Sequence, residues 1–284
     1  MTYMRREYLN VSHAGHSGDI VYSLAFLRSY AFATGHAINF SIIKNLKARF
    51  AQGMKHPNGE YLMSEVSYRF LEPLLSFQNY IGNVEFTEIE QLPDNSLRLD
   101  SYRDVKGIDL SKGNIASYLR KIFPFEIDLH SPFLSSPTVR LPSGAIVCGF
   151  SKRYRNISID YSFLSGAPNL FFVGLPDEYL SFKHRARLES IRYIETKNAL
   201  ELASIIKQSS LFLGNQSLSF AIAEGLKVRR ALELCEICPN VIPVGLGAFE
   251  FIHELSIRQI LTRLGLHSSI DCPRKDPVYK LYYE

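Results

Sequence analysis

The feature that most constrains this chain is a pair of strand, polar turn and helix units, one in each half of the sequence. In the first, Tyr8-Leu9-Asn10-Val11-Ser12 reads as a short strand and His13-Ala14-Gly15-His16-Ser17-Gly18 as a turn. A helix follows with Ile20, Leu24, Leu27 and Ala31 on one face, the spacing of an apolar helical stripe. Gly35 stops that helix, and Ala37-Ile38-Asn39-Phe40-Ser41-Ile42 reads as the next strand. A strand, a crossover helix and a second strand call for a parallel sheet.

The second half repeats the logic without repeating the sequence. Ala145-Ile146-Val147-Cys148-Gly149-Phe150 and Leu170-Phe171-Phe172-Val173-Gly174 are continuous apolar runs, as parallel strands covered on both faces require. Asn198 is placed to cap a helix with Ala199, Leu202, Ala203 and Ile206 on one stripe. Leu211-Phe212-Leu213-Gly214 reads as a third strand leading into a helix from Leu218 to Gly225, and Arg230 to Leu234 as a fourth. Between the halves, Phe123 to Pro142 holds Pro124, Pro132, Pro137 and Pro142 and reads as an extended linker. The expectation is an α/β chain of two Rossmann-like lobes, 1–140 and 141–284. Less regular stretches are read as mostly helical and amphipathic from Leu46 to Tyr80, broken by a turn at His56-Pro57-Asn58-Gly59, short strand-like pieces with polar turns from Ile81 to Asp109, helical from Leu110 to Phe123, and helical again from Phe249 to Leu264.

Composition removes several classes of function. No apolar run in the 284 residues reaches the roughly 18–20 that a membrane-spanning helix needs. The opening MTYMRREYLNVS has arginines with no apolar stretch behind them, so it does not read as a secretory signal, and a cytoplasmic location is expected. A net charge of +4 is too small to imply a nucleic-acid partner. Cys235 and Cys238 have metal-type spacing but lack a second pair, and Cys148 lies in an apolar strand, so no metal is expected.

Chemistry is expected at the two strand-to-helix turns, because open α/β sheets bind ligands at the carboxyl ends of their strands. In the first, Gly15, His16, Ser17 and Gly18 allow a close backbone approach, and Asp19 sits at the helix start, where the dipole keeps its carboxylate ionised and able to accept a proton, or where it caps the helix. In the second, Gly214, Asn215, Gln216 and Ser217 precede free helix N–H groups suited to a diphosphate. Glu224 stands one turn on in an otherwise apolar helix, to bond a ribose hydroxyl or to face water. Basic residues gather in Lys152-Arg153-Tyr154-Arg155, after a strand, and in Lys183-His184-Arg185-Ala186-Arg187. Gly174, which ends the apolar run from Leu170, is a further candidate for binding the donor nucleotide. The chain carries neither GxGxxG nor a P-loop.

The segment HAGHSGDIVYSLAFLRSY resembles the start of the ADP-heptose:lipopolysaccharide heptosyltransferase family, through Gly15, Gly18, Asp19 and Leu27-Arg28, with Ser17 in place of the usual isoleucine. NALELASIIKQSSLFLGNQSLSFAIAEGLKV is similar to the family's nucleotide-binding helix, strand and loop; Asn215, Gln216, Ser217 and Phe220 replace its Asp-Thr-Gly and histidine positions. That departure leaves the donor sugar open. The resemblance implies a GT-B fold, an acceptor on the N-terminal lobe and a nucleotide-sugar on the C-terminal lobe. It implies that Asp19 is the general base of an inverting, metal-independent transfer, with Lys152, Arg153 or Arg155 against the diphosphate and no cofactor beyond the donor. It also places the last segment, Asp271 to Glu284, back on the first lobe.

Three acceptor classes are compatible with this reading: a glycan, a protein side chain, or the modified bases of DNA, the last suggested by the basic clusters and by 19 Phe and 16 Tyr. A protein that binds a nucleotide-sugar without transferring it is the reading from a different class.

Overall fold

The computed structural model describes residues 7–48 and 58–266. The first half runs β1 (Tyr8–His13), α1 (Ser17–Thr34), β2 (Ala37–Ile43), α2 (Glu65–Ser76), β3 (Ile81–Thr87) and β4 (Leu97–Arg98), followed by 3₁₀ segments at Leu99–Asp104 and Ile115–Lys121. The second half runs β5 (Ile146–Gly149), β6 (Leu170–Phe172), α3 (Pro176–Ala186), β7 (Arg192–Tyr193), α4 (Ala199–Lys207), β8 (Leu211–Asn215), α5 (Leu218–Leu226), β9 (Arg230–Glu233), β10 (Ala248–Phe251) and α6 (Glu254–Arg263). Every strand pairing in the two sheets is parallel.

The expected signals hold where they rest on periodicity and capping. Gly35 ends α1 at φ 75°, a left-handed position that costs a glycine little, and its N–H closes on the Ala31 carbonyl. The Asn198 side chain accepts from the Leu200 and Glu201 N–H groups at the start of α4. Leu211, Phe212 and Leu213 of β8 are fully buried, each contributing about 1.5–3 kcal/mol by leaving water.

Where the signal was composition alone, the structure differs. Of the stretch expected to be mostly helical from Leu46 to Tyr80, residues 49–57 lie outside the described ones; among the described residues the helix is α2, and before it Lys47 and Tyr61 form an antiparallel bridge. The helix expected at Leu110 to Phe123 is a single 3₁₀ segment, Ile115–Lys121, capped by Asn114 and closed at its ends by three-residue bonds, Ser117 N–H to Asn114 O and Ile122 N–H to Leu119 O. Phe249 opens no helix: Ala248–Phe251 is β10, added beside β9, and the helix begins only at Glu254. The proline-rich linker is extended but not free, since Phe133 and Leu134 are buried and both donate their N–H groups to Gly225 O. Asp271 to Glu284 and Cys272 lie outside the described residues.

Strand order is β3-β2-β1-β4 in the first sheet and β10-β9-β8-β5-β6-β7 in the second. Each order reverses direction once, between β1 and β4 and between β8 and β5. Loops leaving the carboxyl ends of strands on either side of such a reversal open a crevice. Helices α1 and α5 pack on each other, as do α2 and α4, so one apolar core runs from Val11 and Phe40 through Phe26 and Phe220 to Phe212. Sandwiched in this way, α1 buries Ile20 through Leu27 without a break rather than only the stripe its spacing suggested. Among the described residues, no helix is long and apolar enough to cross a membrane.

Two buried polar groups belong to this core. Glu224 does not face water: its carboxylate, only 4% exposed, pairs with Lys227 and Arg230 and accepts from Val244 N–H (3.2 Å). Arg230 is itself fully buried and ties down the Val228 and Val244 carbonyls. His13, at the end of β1, is fully buried, neither ring nitrogen is hydrogen-bonded among the described residues, and burial, reinforced by the nearby Arg103, pushes its pKa down to about 4.

Each group yields a measurable expectation. Glu224→Ala strands two buried cations and should cost about 3–5 kcal/mol in urea unfolding; a loss within experimental scatter would contradict the pairing. His13 takes up a proton at about 6.5 when unfolded but only at about 4 when folded. Its contribution is therefore complete above pH 6.5 and is lost as the pH falls, by roughly 3 kcal/mol at pH 4. His13→Leu should flatten the stability profile across that window.

Candidate functional site

The turn after β1 is built around His13. A Cβ on Gly15 would lie 2.5 Å from the His13 ring, so only glycine fits there. The same turn is clamped from the segment following β4: Asp100 accepts from Ala14 N–H (3.1 Å), and Arg103 donates to Ala14 O. Arg103 also donates to Asp19 Oδ2 (2.5 Å). Asp19 lies in the first turn of α1, three residues beyond the N-cap His16, where the helix dipole favours its charge. With Oδ2 held by Arg103, Oδ1 is the carboxylate oxygen left for a ligand. His16 donates Nδ1–H to Leu62 O (2.9 Å), and burial lowers its pKa, so the ring is neutral at neutral pH.

The turn after β8 faces this one. A Cβ on Gly18 would stand 3.8 Å from Leu218 N, so the two helix starts nearly touch. Ser217 caps α5 by accepting from Phe220 N–H (3.3 Å). The first turn of α5 carries no acidic residue to offset its positive end. Gln216 donates to the Asn240 side chain, and Asn240 reaches across to the first half by donating to Leu110 O (2.7 Å) and accepting from Ile115 N–H (2.9 Å).

Between the turns lies a cavity of about 220 Å³. His16, Gly18 and Asp19 line one wall; Gln216, Ser217 and Leu218 line the opposite one. Arg153 and Tyr154, after β5, close a third side, and Tyr22, Tyr102, Arg103 and Tyr118 the remainder. Arg153 lies over the Tyr154 ring (5.3 Å) and has no carboxylate within ion-pair distance among the described residues. Burial raises the Tyr22 and Tyr102 phenols, which therefore stay protonated and keep an O–H to donate.

Several residues expected at the ligand serve the scaffold instead. Arg155 is spent on a buried pair with Glu233 (Nε to Oε1, 2.8 Å), beside Tyr161, whose hydroxyl donates to the same carboxylate. Asn215 is fully buried and bonded to the chain around Ser151, Arg153 and Tyr154. Gly214 is a packing glycine, since a Cβ there would meet Gly149 O at 2.5 Å. Gly174 sits at φ 132° against Glu178, away from the cavity. Lys152 pairs with Asp177 (2.7 Å) and lines a separate hollow of about 250 Å³ with Arg155, Glu178 and Arg185. Gly15 and Ser17 shape the first turn without lining the cavity. In the second basic cluster, Lys183 pairs with Glu189, Arg187 pairs with Asp160, and Arg185 bonds the Asn156 and Ile159 carbonyls.

Cavity residues that sequence reading missed include Tyr22, Tyr102, Arg103, Tyr118 and Asn240. Arg103 meets Asp19 across 84 positions of sequence, and only the order of strands in the sheet brings β4 beside β1. Among the described residues, no group of three or more His, Cys, Asp or Glu is placed to hold a metal ion.

No protein-family model matches the sequence, and no curated protein matches it either. Solved structures share its fold. The glycosyl transferase family 9 protein from Veillonella parvula DSM 2008 is 11% identical with a TM-score of 0.53, over 93% of this chain and 90% of that one. E. coli heptosyltransferase WaaC with ADP is 8% identical with a TM-score of 0.58, over 90% and 99%. E. coli ADP-heptose lps heptosyltransferase II is 11% identical with a TM-score of 0.58, over 91% and 98%. The α/β architecture of two parallel sheets is therefore the GT-B-type fold of these glycosyltransferases, nearly end to end.

Proposed function

We propose that this protein is a glycosyltransferase that moves a sugar from a nucleotide-sugar to an acceptor hydroxyl, inverting the anomeric centre without a metal. The observation that carries the reading is a single cavity with a carboxylate on one wall and, on the others, an uncompensated helix N-terminus and the Arg153 guanidinium. Asp19 Oδ1 accepts the acceptor's proton as its oxygen bonds to the anomeric carbon. The bond from that carbon to the diphosphate breaks, and the diphosphate leaves with the electron pair. The α5 N–H groups and Arg153 receive the charge that develops there, the task a metal would otherwise perform. Arg103 holds Asp19 in place and satisfies its other oxygen.

The shared fold supports this assignment, and two of the neighbours are named for ADP or ADP-heptose. The acceptor class we propose is a glycan. The aromatic residues that suggested stacking on DNA bases largely fill the core, among them Phe26, Phe40, Phe133, Phe172, Phe212 and Phe220.

A thermal-shift panel of UDP, GDP, ADP, CMP and dTDP, with their sugar conjugates and with EDTA present, tests the donor half. One nucleoside diphosphate should stabilise the protein selectively; no shift with any of them would overturn the reading. With the donor identified, Asp19→Asn keeps an acceptor for Arg103 but cannot take a proton. It should slow transfer by at least about 100-fold while leaving nucleotide affinity intact. Undiminished turnover in that variant would remove Asp19 from the base role.

A further inference from the structure

Asn215 ends β8 and lines neither cavity, yet it is completely buried and its amide is fully used. Oδ1 accepts from Ser151 N–H (2.9 Å) and from the Ser151 hydroxyl (3.4 Å). Nδ2 faces three backbone carbonyls of the loop after β5: Ser151 (3.2 Å), Arg153 (2.5 Å) and Tyr154 (3.3 Å). The loop is thus wrapped around one side chain belonging to the neighbouring strand.

That loop needs holding. Tyr154 sits at φ 54°, the left-handed region, which costs a residue with a Cβ about 1–2 kcal/mol. Released from Asn215, the loop would relax toward ordinary backbone angles and carry Arg153 with it. Among the described residues Arg153 has no ion-pair partner of its own to keep it at the cavity. Its neighbours in the basic cluster are anchored differently, Lys152 by Asp177 and Arg155 by Glu233.

We infer that Asn215 is a positioning residue: its amide clamps the 151–154 loop so that Arg153 points at the diphosphate of the donor. This rests on the nucleotide-sugar reading of the cavity, and it turns a residue expected at the ligand into the brace behind the ligand. The choice of side chain follows from the donors needed. Aspartate has the same shape but no N–H, and would set a carboxylate oxygen against three carbonyl oxygens.

The test is a double-mutant cycle on the full chain with Asn215→Asp and Arg153→Ala, using sodium pyrophosphate, UDP, ADP and GDP as probes. Calorimetry reads affinity, and mass spectrometry reads the rate of trypsin cleavage after Lys152, Arg153 and Arg155. Asn215→Asp should weaken probe binding by about tenfold, the scale of one lost hydrogen-bonding arrangement. The double variant should bind no worse than Arg153→Ala alone, because Asn215 acts only through Arg153. Cleavage in the 152–155 loop should rise by a similar factor of about ten while the remainder of the chain keeps a cooperative melt. Losses that add in the double variant would overturn the inference, because a merely structural defect adds. If no probe binds the unmodified protein, the nucleotide-sugar reading fails; the cleavage rate then decides the clamp separately, and an unchanged rate overturns it. Should Asn215→Asp not fold, Asn215→Ser, which keeps one donor, takes its place in the same cycle and should give intermediate cleavage and affinity.

Discussion

The packing of α1 on α5 is the contact on which the remainder depends. Each helix begins where a central strand of its own sheet ends, α1 after β1 and α5 after β8. Docking the two helices side by side therefore brings two strand-to-helix turns together, with Gly18 and Leu218 almost in van der Waals contact. Neither sheet alone would make more than half a crevice. The continuous apolar core through Phe26, Phe212 and Phe220 holds the halves in register, and the bridge from Asn240 to Leu110 and Ile115 closes the side of the cavity.

The electrostatics follow from the same arrangement. Two positive helix ends lie next to each other, and they are treated differently. On α1 the field is met by Asp19, which Arg103 in turn restrains. On α5 no acid answers it, and Arg153 adds to it. The result is a cavity with a proton acceptor on one wall and an anion-receiving wall opposite, which is the polarity a group transfer between a hydroxyl and a phosphate leaving group demands. The other charges nearby are neutralised within the scaffold: Arg155 by Glu233, and Arg230 and Lys227 by Glu224.

Much of the fold was legible because its determinants are local. Continuous apolar runs marked β5, β6 and β8, and Gly35 and Asn198 announced a helix end and a helix start. β10 escaped because Phe249 and Phe251 suit either a helix or a strand, and only its place beside β9 decides. The two turns were legible as sites, but the role of each residue within them was not. Asn215 and Arg155 carry polar groups suited to a phosphate, and partners distant in sequence consume both: the 151–154 loop for Asn215 and Glu233 for Arg155. Glu224 is the exception that local reading could have resolved, since Lys227 stands three positions on and Arg230 six, the first at helical salt-bridge spacing. Arg103 carried no local sign, because a two-residue strand, β4, is all that delivers it to Asp19.

The most direct test of a shared cavity is hydrogen–deuterium exchange with and without the nucleoside diphosphate that stabilises the protein. Binding should slow exchange of the backbone N–H groups at 216–220, in the first turn of α5, and at 152–154. The intact nucleotide-sugar should extend that protection across the cleft to 16–19. Protection confined to the hollow beside Lys152 and Arg185, with the start of α5 unaffected, would contradict the account.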